Sequence, residues 1–226
     1  MSCEGPVFGA GSPEGAPCSD SPRELRSLRN CARDPLGATR AENACGEARR
    51  IDLPLNRGLL RELRAGDSCL LTGNLYTLRD AGHLRLLAEL DEQGSDVLPY
   101  GLEGQAIFYA GPTPAAAGRP FGAIGPTTAS RMDFAAPRLH DAGIVATIGK
   151  GTRSEAVRQA CMRNGAVYFV TVGGAAAYLA KCVTASETLA YDDLGTEALR
   201  RIEVVDFPVF VGIDVLGNDV YDLARQ

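Results

Sequence analysis

Tryptophan is absent from this chain, histidine occurs twice, and aromatic residues make up 6% of its 226 residues. With so few flat rings, the chain lacks the stacking platforms on which single-stranded nucleic acid is held. The formal net charge is −5 and no run of lysine or arginine stands out, which argues against a phosphate-backbone partner. No apolar run approaches the roughly 18 residues of a spanning helix, and Met1-Ser-Cys-Glu-Gly-Pro6 lacks the basic and apolar segments of a signal peptide. A cytoplasmic protein without a membrane partner is expected. The seven cysteines, at 3, 18, 31, 45, 69, 161 and 182, are odd in number and contain no Cys-x-x-Cys pair, so they form no disulfide framework. With only two histidines to add, a metal or iron–sulfur site built wholly from this chain is not expected, and no metal ligand is assigned.

What the chain does have is an ordinary globular composition, 45% apolar and 23% charged, and enough length to bury one sizeable core. Residues 1–47 stand apart. Gly5-Pro6, Ser12-Pro13, Ala16-Pro17 and Ser21-Pro22 punctuate a stretch thin in apolar residues, which is expected to be a flexible leader with a short helix near Pro22–Arg29. Its four cysteines fit no ligand spacing. The ordered domain is expected over 48–226. It opens with a Pro-interrupted edge strand at Ile51–Leu55 and a short helix capped by Asn56 and ended at Gly66. A strand over Ser68–Tyr76 and a helix over Leu78–Leu90, with apolar residues at 84, 86, 87 and 90, come next. Strands at Gln105–Ala110 and Phe121–Ile124 each run into a Gly-Pro-Thr turn. Helices are then expected at Met132–Asp141, Ser154–Arg163 and from Gly173-Gly174 to Lys181, alternating with strands at Ile144–Ile148 and Ala166–Val170. The end reads as β-rich, with strands at Ile202–Val205 and Val209–Asp214 and an extended Val220-Tyr221. The fold class is α/β, with a mixed sheet and an antiparallel finish.

The densest chemistry lies in Gly125-Pro-Thr-Thr-Ala-Ser-Arg-Met-Asp133 and in Gly149-Lys150-Gly151. Gly-Pro turns punctuate loops everywhere, so Gly111-Pro-Thr-Pro114 and Gly125-Pro-Thr-Thr128 taken alone fit ordinary turns. The basic residues beside them shift the balance. Arg131 follows Thr127 by about one helical turn, Lys150 ends a strand between two glycines that admit close backbone approach, and Arg79-Asp80 opens the helix after another strand. If these strands are parallel neighbours, their ends share one rim, where α/β proteins bind ligands. Guanidinium forks plus one ammonium in a rigid frame suit a dicarboxylate. Asp133 is expected to orient Arg131 or to cap its helix. His83 reads as a structural histidine, or one that orients Arg79 or Asp80, and His140 as exposed and without a role. Gly173-Gly174 lacks the spacing of a phosphate-binding loop and is expected to serve close helix–strand packing.

These stretches also carry a resemblance. Thr77-Leu-Arg-Asp-Ala-Gly-His83, Tyr109-Ala-Gly-Pro-Thr-Pro114, the 125–133 stretch, Gly149-Lys-Gly151, Val172-Gly-Gly174 and Glu203-Val-Val-Asp-Phe-Pro208 occur in this order. Together, over roughly 50–224, they resemble the β subunit or C-terminal domain of the class I fumarase and L-tartrate dehydratase hydro-lyases. The resemblance implies a swivelling β/β/α domain that closes over a [4Fe-4S] cluster bound by an α subunit, in an α2β2 assembly. In that family one iron takes the substrate hydroxyl and a carboxylate oxygen. By matching position, Arg79, Arg131 and Lys150 would hold substrate carboxylates. Thr127 would take a proton from the carbon beside a carboxylate, with Thr128 and the Gly125 turn lining the substrate. The chain departs from the family's frequent residues at Leu78, Gly82, Ala175 and Leu199, where Ala, Ala, Pro and Trp are common. The expected function is the clamp-and-base half of a two-component hydro-lyase acting on a 2-hydroxy dicarboxylate. The alternative is a non-catalytic carboxylate-binding or assembly module of the same fold.

Overall fold

The computed structural model describes residues 48–225 apart from 116, 117, 119 and 121. The expected leader, its short helix and its four cysteines lie outside the described residues. The elements are β1 (Arg49–Asp52), α1 (Arg57–Leu60), β2 (Ser68–Thr77), α2 (Asp80–Gln93), β3 (Ala106–Phe108), α3 (Ala136–Asp141), β4 (Ala146–Gly149), α4 (Glu155–Asn164), β5 (Val167–Val170), α5 (Ala176–Lys181), β6 (Val183–Ala190), β7 (Leu199–Ile213) and α6 (Val220–Leu223). Two 3-10 turns, Ala129–Met132 and Asp192–Glu197, complete them. No helix among the described residues is long and apolar enough to cross a membrane.

One mixed sheet of seven strands runs β1-β2-β3-β4-β5-β7-β6, and β2 also pairs with β7. That last pairing closes β2, β3, β4, β5 and β7 into a ring. The β1–β2, β2–β3, β3–β4 and β4–β5 pairs are parallel, and every pair made by β7 is antiparallel. The short strands β3 and β4 are buried along their whole length, as strands covered on both faces must be. Alternation sorts their side chains. Phe108, Ile148, Phe169, Val204 and Val209 fall into one cluster with Leu60 of α1 and Leu179 of α5. Ile107, Tyr109, Tyr168 and Ile213 fall into a second, beneath Leu86 and Leu90 of α2, Leu139 of α3 and Val157 of α4. Burying each such side chain contributes on the order of 1.5–3 kcal/mol.

β7 makes closure possible by changing partners along its length. Leu199–Val204 runs beside β6, and Phe210–Ile213 beside β5. Between them the register on β2 shifts from Leu71/Phe207 to Gly73/Val204, and Asp206 takes a positive φ of 49°. Such a bulge bends a strand and sharpens its twist. The expected strands at 202–205 and 209–214 are therefore one strand with a bend in it.

Other expectations need correction. β6 is an unexpected strand, because Val-Thr-Ala-Ser-Glu-Thr-Leu-Ala is half polar and carries few large apolar residues, as an edge strand can. Val220-Tyr221 begins a helix instead of a strand, with Asp219 accepting a bond from the Tyr221 N–H at 2.8 Å. The expected helix over 132–141 is a 3-10 turn followed by α3, because Pro137 in the first turn of α3 cannot continue a helix from before it. The first helix stops at Leu60, short of Gly66. Residues 122–124 form no strand, and Phe121 lies outside the described residues. In α2 the buried face is Gly82, His83, Leu86 and Leu90, while Leu84 is exposed.

His140 is buried, not exposed. Its Nδ1–H donates to the Ile144 carbonyl at 2.8 Å, and burial pushes its pKa down to about 4. His83 is likewise lowered to about 4 by burial. A histidine held neutral in the fold but free to charge when unfolded stabilises fully above about pH 6.5, and this contribution is lost as pH falls toward 4. Between pH 7 and pH 5 denaturant unfolding should register a loss of about 2 kcal/mol per histidine. In a His140→Gln variant the pH dependence should shrink by about half of the histidine share; an unchanged slope would show that His140 does not titrate this way.

Candidate functional site at the parallel strand ends

Because β2, β3 and β4 are parallel neighbours, their C-terminal ends open on the same rim. Arg79 stands just past β2, Gly111 past β3 and Lys150 past β4. The 125–133 segment crosses this rim and is stitched to it by the backbone. Thr127 N–H donates to the Tyr109 carbonyl at 2.7 Å, Lys150 N–H to the Thr127 carbonyl at 3.2 Å, and Ala129 N–H to the Lys150 carbonyl at 2.8 Å. Thr127 and Thr128 thus lie alongside the end of β4, and Thr128 forms a parallel bridge with Lys150. Gly149 permits this approach. A Cβ there would sit 2.9 Å from Ala129 Cβ and 3.3 Å from the Thr127 carbonyl oxygen, closer than side-chain and backbone atoms tolerate. Gly151, at φ +82°, supplies the turn after the lysine.

The structure brings Arg79, Thr127, Thr128, Arg131 and Lys150 to one rim, though Arg131 arrives on the 3-10 turn and not from a strand of its own. Gly125 faces α5, where a Cβ would lie 3.0 Å from Ala176 Cβ. The close helix–strand packing expected of Gly173-Gly174 is not found. Both glycines are exposed, a Cβ at Gly173 would only touch Lys150 Cδ at an ordinary 3.6 Å, and one at Gly174 would meet nothing within 4 Å. Thr128, Arg131 and Lys150 are exposed, while Thr127 and Arg79 are half-buried. Among the described residues the Thr127 hydroxyl and the Lys150 ammonium have no hydrogen-bond or ion-pair partner.

The arginines are different, because each already has a carboxylate. Arg131 donates from Nε to Asp80 Oδ1 at 3.0 Å and holds Nη2 2.9 Å from Oδ2. Arg79 lies 3.3 Å from Glu197 Oε1 and 3.7 Å from Asp80 Oδ2. Glu197 Oε2 also accepts the Ala81 N–H at 2.7 Å, capping the start of α2. Gly111 is the wall on which Arg79 rests, since a Cβ there would fall 2.5 Å from Nη1. Three cations and two carboxylates therefore share the rim. Glu197 carries no signal in the sequence: it is more than a hundred residues from Arg79, in a turn without a motif.

Of two expectations about neighbouring residues, one changes and one holds. Asp133 does not orient Arg131. It pairs with Arg153, Nε to Oδ1 at 2.6 Å, and accepts the Ser154 N–H at 2.6 Å, capping α4 in place of the Ser154 side chain. His83 is structural, as expected. Its Nδ1–H donates to the Arg79 carbonyl at 2.8 Å, its ring stands edge-on to Tyr109, and its lowered pKa keeps it neutral at physiological pH.

Two open clefts lie away from these residues. One of about 460 Å³ opens beside Arg57, Arg61 and Leu216. Another of about 430 Å³ lies between the Pro112–Ala115 loop and Arg200. Neither is lined by Thr127, Arg131 or Lys150, and the exposure of Thr128, Arg131 and Lys150 makes the rim an open face.

Comparisons with known proteins show the family to which the chain belongs. The profile of the Fumarase C-terminus family matches residues 26–224, reaching further toward the N-terminus than the motifs quoted above. The anaerobic class I fumarate hydratase of Escherichia coli K12 is 40% identical over 182 residues, covering 78% of this chain and 33% of that protein. Fumarate hydratase 2 of Leishmania major is 38% identical over 167 residues, 73% of this chain and 29% of that one. The L(+)-tartrate dehydratase subunit beta of Escherichia coli K12 is 34% identical over 175 residues, 75% of this chain and 85% of the subunit. The chain thus spans about a third of the fumarate hydratases it matches and most of the tartrate dehydratase subunit. A profile match over most of the chain, with relatives of both kinds beyond it, establishes that this protein belongs to the Fumarase C-terminus family.

Proposed function

We propose that this chain is the β-subunit half of a two-component hydro-lyase that adds or removes water at a 2-hydroxy dicarboxylate, and that it works with a cysteine-bearing α partner in the cytoplasm. One observation carries the reading: a hydroxyl without a partner, Thr127, is held by backbone bonds beside a lysine without a partner, Lys150, on the same rim as two arginines. Two relatives support the chemistry and the division of labour, one named a fumarate hydratase and one a beta subunit of a tartrate dehydratase. The [4Fe-4S] cluster expected of such enzymes does not fit the described residues. Cys69 and Cys161 are buried, burial holds both thiols up at about 12, and no three His, Cys, Asp or Glu side chains group as metal ligands. The cluster is assigned to the partner, in an α2β2 assembly, and the roles below belong to this chain alone.

Lys150, Arg131 and Arg79 bind the two carboxylates. Arg131 gives one N–H donor, Nε, to Asp80, holds Nη2 near Oδ2 as an ion pair without a hydrogen bond, and presents the rest. Lys150 has all three N–H bonds to give. Thr127 takes the proton from the carbon next to a carboxylate, with Thr128 and the Gly125 turn lining the substrate. A threonine can take this proton only as its alkoxide, returning to the neutral hydroxyl, so the step requires cations close by that favour the alkoxide and a site closed against water. Lys150 and Arg131 stabilise the negative charge that then spreads onto the carboxylate oxygens. The partner's surface supplies the closure that this open rim lacks.

The test is fumarate hydration and tartrate dehydration by the purified chain mixed with its α partner. Thr127→Val should lower kcat by roughly 10²–10⁴ with Thr127→Ser recovering part of it, and Lys150→Met should lower kcat and raise KM. Activity in full from a Thr127→Val, Arg131→Ala double variant would sink the site. Ligand binding by this chain, with no turnover alongside any α partner, would support the non-catalytic carboxylate-binding module instead. A Glu197→Gln variant loosens Arg79 without touching substrate; it should raise KM several-fold with kcat nearly unchanged, and an equal fall in both parameters would contradict that role.

A further inference from the structure

Directly beneath the rim lies a charged side chain with no exposure to solvent. Arg153 has a side-chain accessibility of 0% and one carboxylate partner, Asp133. Its Nη1 donates to Thr147 Oγ1 at 3.1 Å, and its Nη2 reaches the Tyr109 hydroxyl at 3.5 Å. The guanidinium carbon lies over two rings, 5.3 Å from the centroid of Tyr109 and 4.8 Å from that of Tyr168. Burying a charge is unfavourable unless paired and bonded on every side, and here each direction is filled by a residue that also holds part of the rim.

Asp133 ends the 3-10 turn that bears Arg131. The Tyr109 carbonyl receives the Thr127 N–H, and the Tyr109 ring packs on Gly149 and on His83, which holds the Arg79 carbonyl. Tyr168 donates its hydroxyl to the Gly151 carbonyl at 2.9 Å, next to Lys150. Four contact chains thus run from one guanidinium to the segments carrying Arg131, Thr127, Arg79 and Lys150.

We infer that Arg153 is a positioning residue: its fork, held by Asp133 and in contact with the rings of Tyr109 and Tyr168, sets the 125–133 segment against the end of β4 and so fixes Thr127 and Lys150 relative to each other. The consequence for turnover rests on the function proposed above; the consequence for the rim does not. A lysine at this position keeps the charge but is a point donor without a planar fork, and cannot serve Asp133, Thr147 and both rings together.

The experiment compares the parent chain with Arg153→Lys and with the double variant Arg153→Met, Asp133→Asn, which removes both charges at once. Amide hydrogen exchange on the full chain reads the rim without any partner. In Arg153→Lys the amides of Thr127, Ala129 and Lys150 should exchange at least tenfold faster while those of β7 hold. In the α-containing complex the same variant should raise KM and lower kcat by tenfold or more. The double variant should melt close to the parent yet keep the fast rim exchange and the kinetic defect. Parent-like exchange at the three amides in Arg153→Lys would overturn the inference. So would a double variant that recovers parental exchange and turnover along with its melting temperature, since Arg153 would then be a stabilising pair and nothing more. A parent complex with no hydro-lyase activity would defeat the proposed function, and the exchange measurement would still decide the role of Arg153.

Discussion

The pairing of β2 with β7 is the constraint on which the rest depends. Without it the parallel run β1 to β5 would be an open twisted sheet with two edges, exposed to pairing with other chains. With it, five strands close into a ring whose inward side chains, Phe108, Phe169, Phe207 and their neighbours, fill the interior. Closure also fixes the tilt and stagger of every strand in the ring. The ends of β2, β3 and β4 are then held at set positions on one rim, and residues that are far apart in sequence, 79, 127 and 150, meet there because the ring leaves them no other place. The bend in β7 at Asp206 is the local price of that arrangement. It lets one strand serve β6 with its first half and β5 with its second.

Much of the site was legible in the sequence because its parts are local motifs. Gly149-Lys150-Gly151 marks a strand end, and the structure shows why glycine stands before the lysine: the Thr127–Ala129 segment occupies the space a Cβ would need. The departure at Gly82 becomes intelligible in the same way. A Cβ at 82 would lie 2.4 Å from Leu78 Cδ1, so a larger residue at 78 and none at 82 go together. The parts that were not legible depend on long-range pairing. Glu197 reaches Arg79 only because a turn between β6 and β7 folds over the start of α2. Arg153 looks like another surface cation in a Gly-Thr-Arg-Ser loop, and no periodicity marks it as buried. β6 is polar enough to pass for a loop, and the bend in β7 reads as a break.

The pre-pairing of the arginines bears on how the rim can bind. An exposed arginine loses side-chain freedom on binding, and that ordering opposes affinity. Asp80 and Glu197 have already ordered Arg131 and Arg79 in the free chain, at the cost of neutralising part of their charge. The two carboxylates thus trade electrostatic attraction for geometry. In the proposed function, a dicarboxylate approaching this rim would meet guanidinium groups already oriented by the acids that pair with them.

Lys150 stands outside that trade. Among the described residues its ammonium has no carboxylate, so it contributes a full charge to a rim where three cations meet two acids. The net positive charge of the rim, against −5 for the whole chain, therefore lies at the end of β4, beside Thr127 and not beside the arginines. This placement gives the rim a polarity. Its arginine side is preorganised and nearly neutral, suited to orienting a carboxylate already bound. Its lysine side is charged and lies beside the Thr127–Thr128 segment, where, in the proposed reaction, negative charge would develop as a proton left the neighbouring carbon. In the proposed reaction, attraction would thus be strongest where the charge changes, which is the condition for stabilising a transition state more than a ground state.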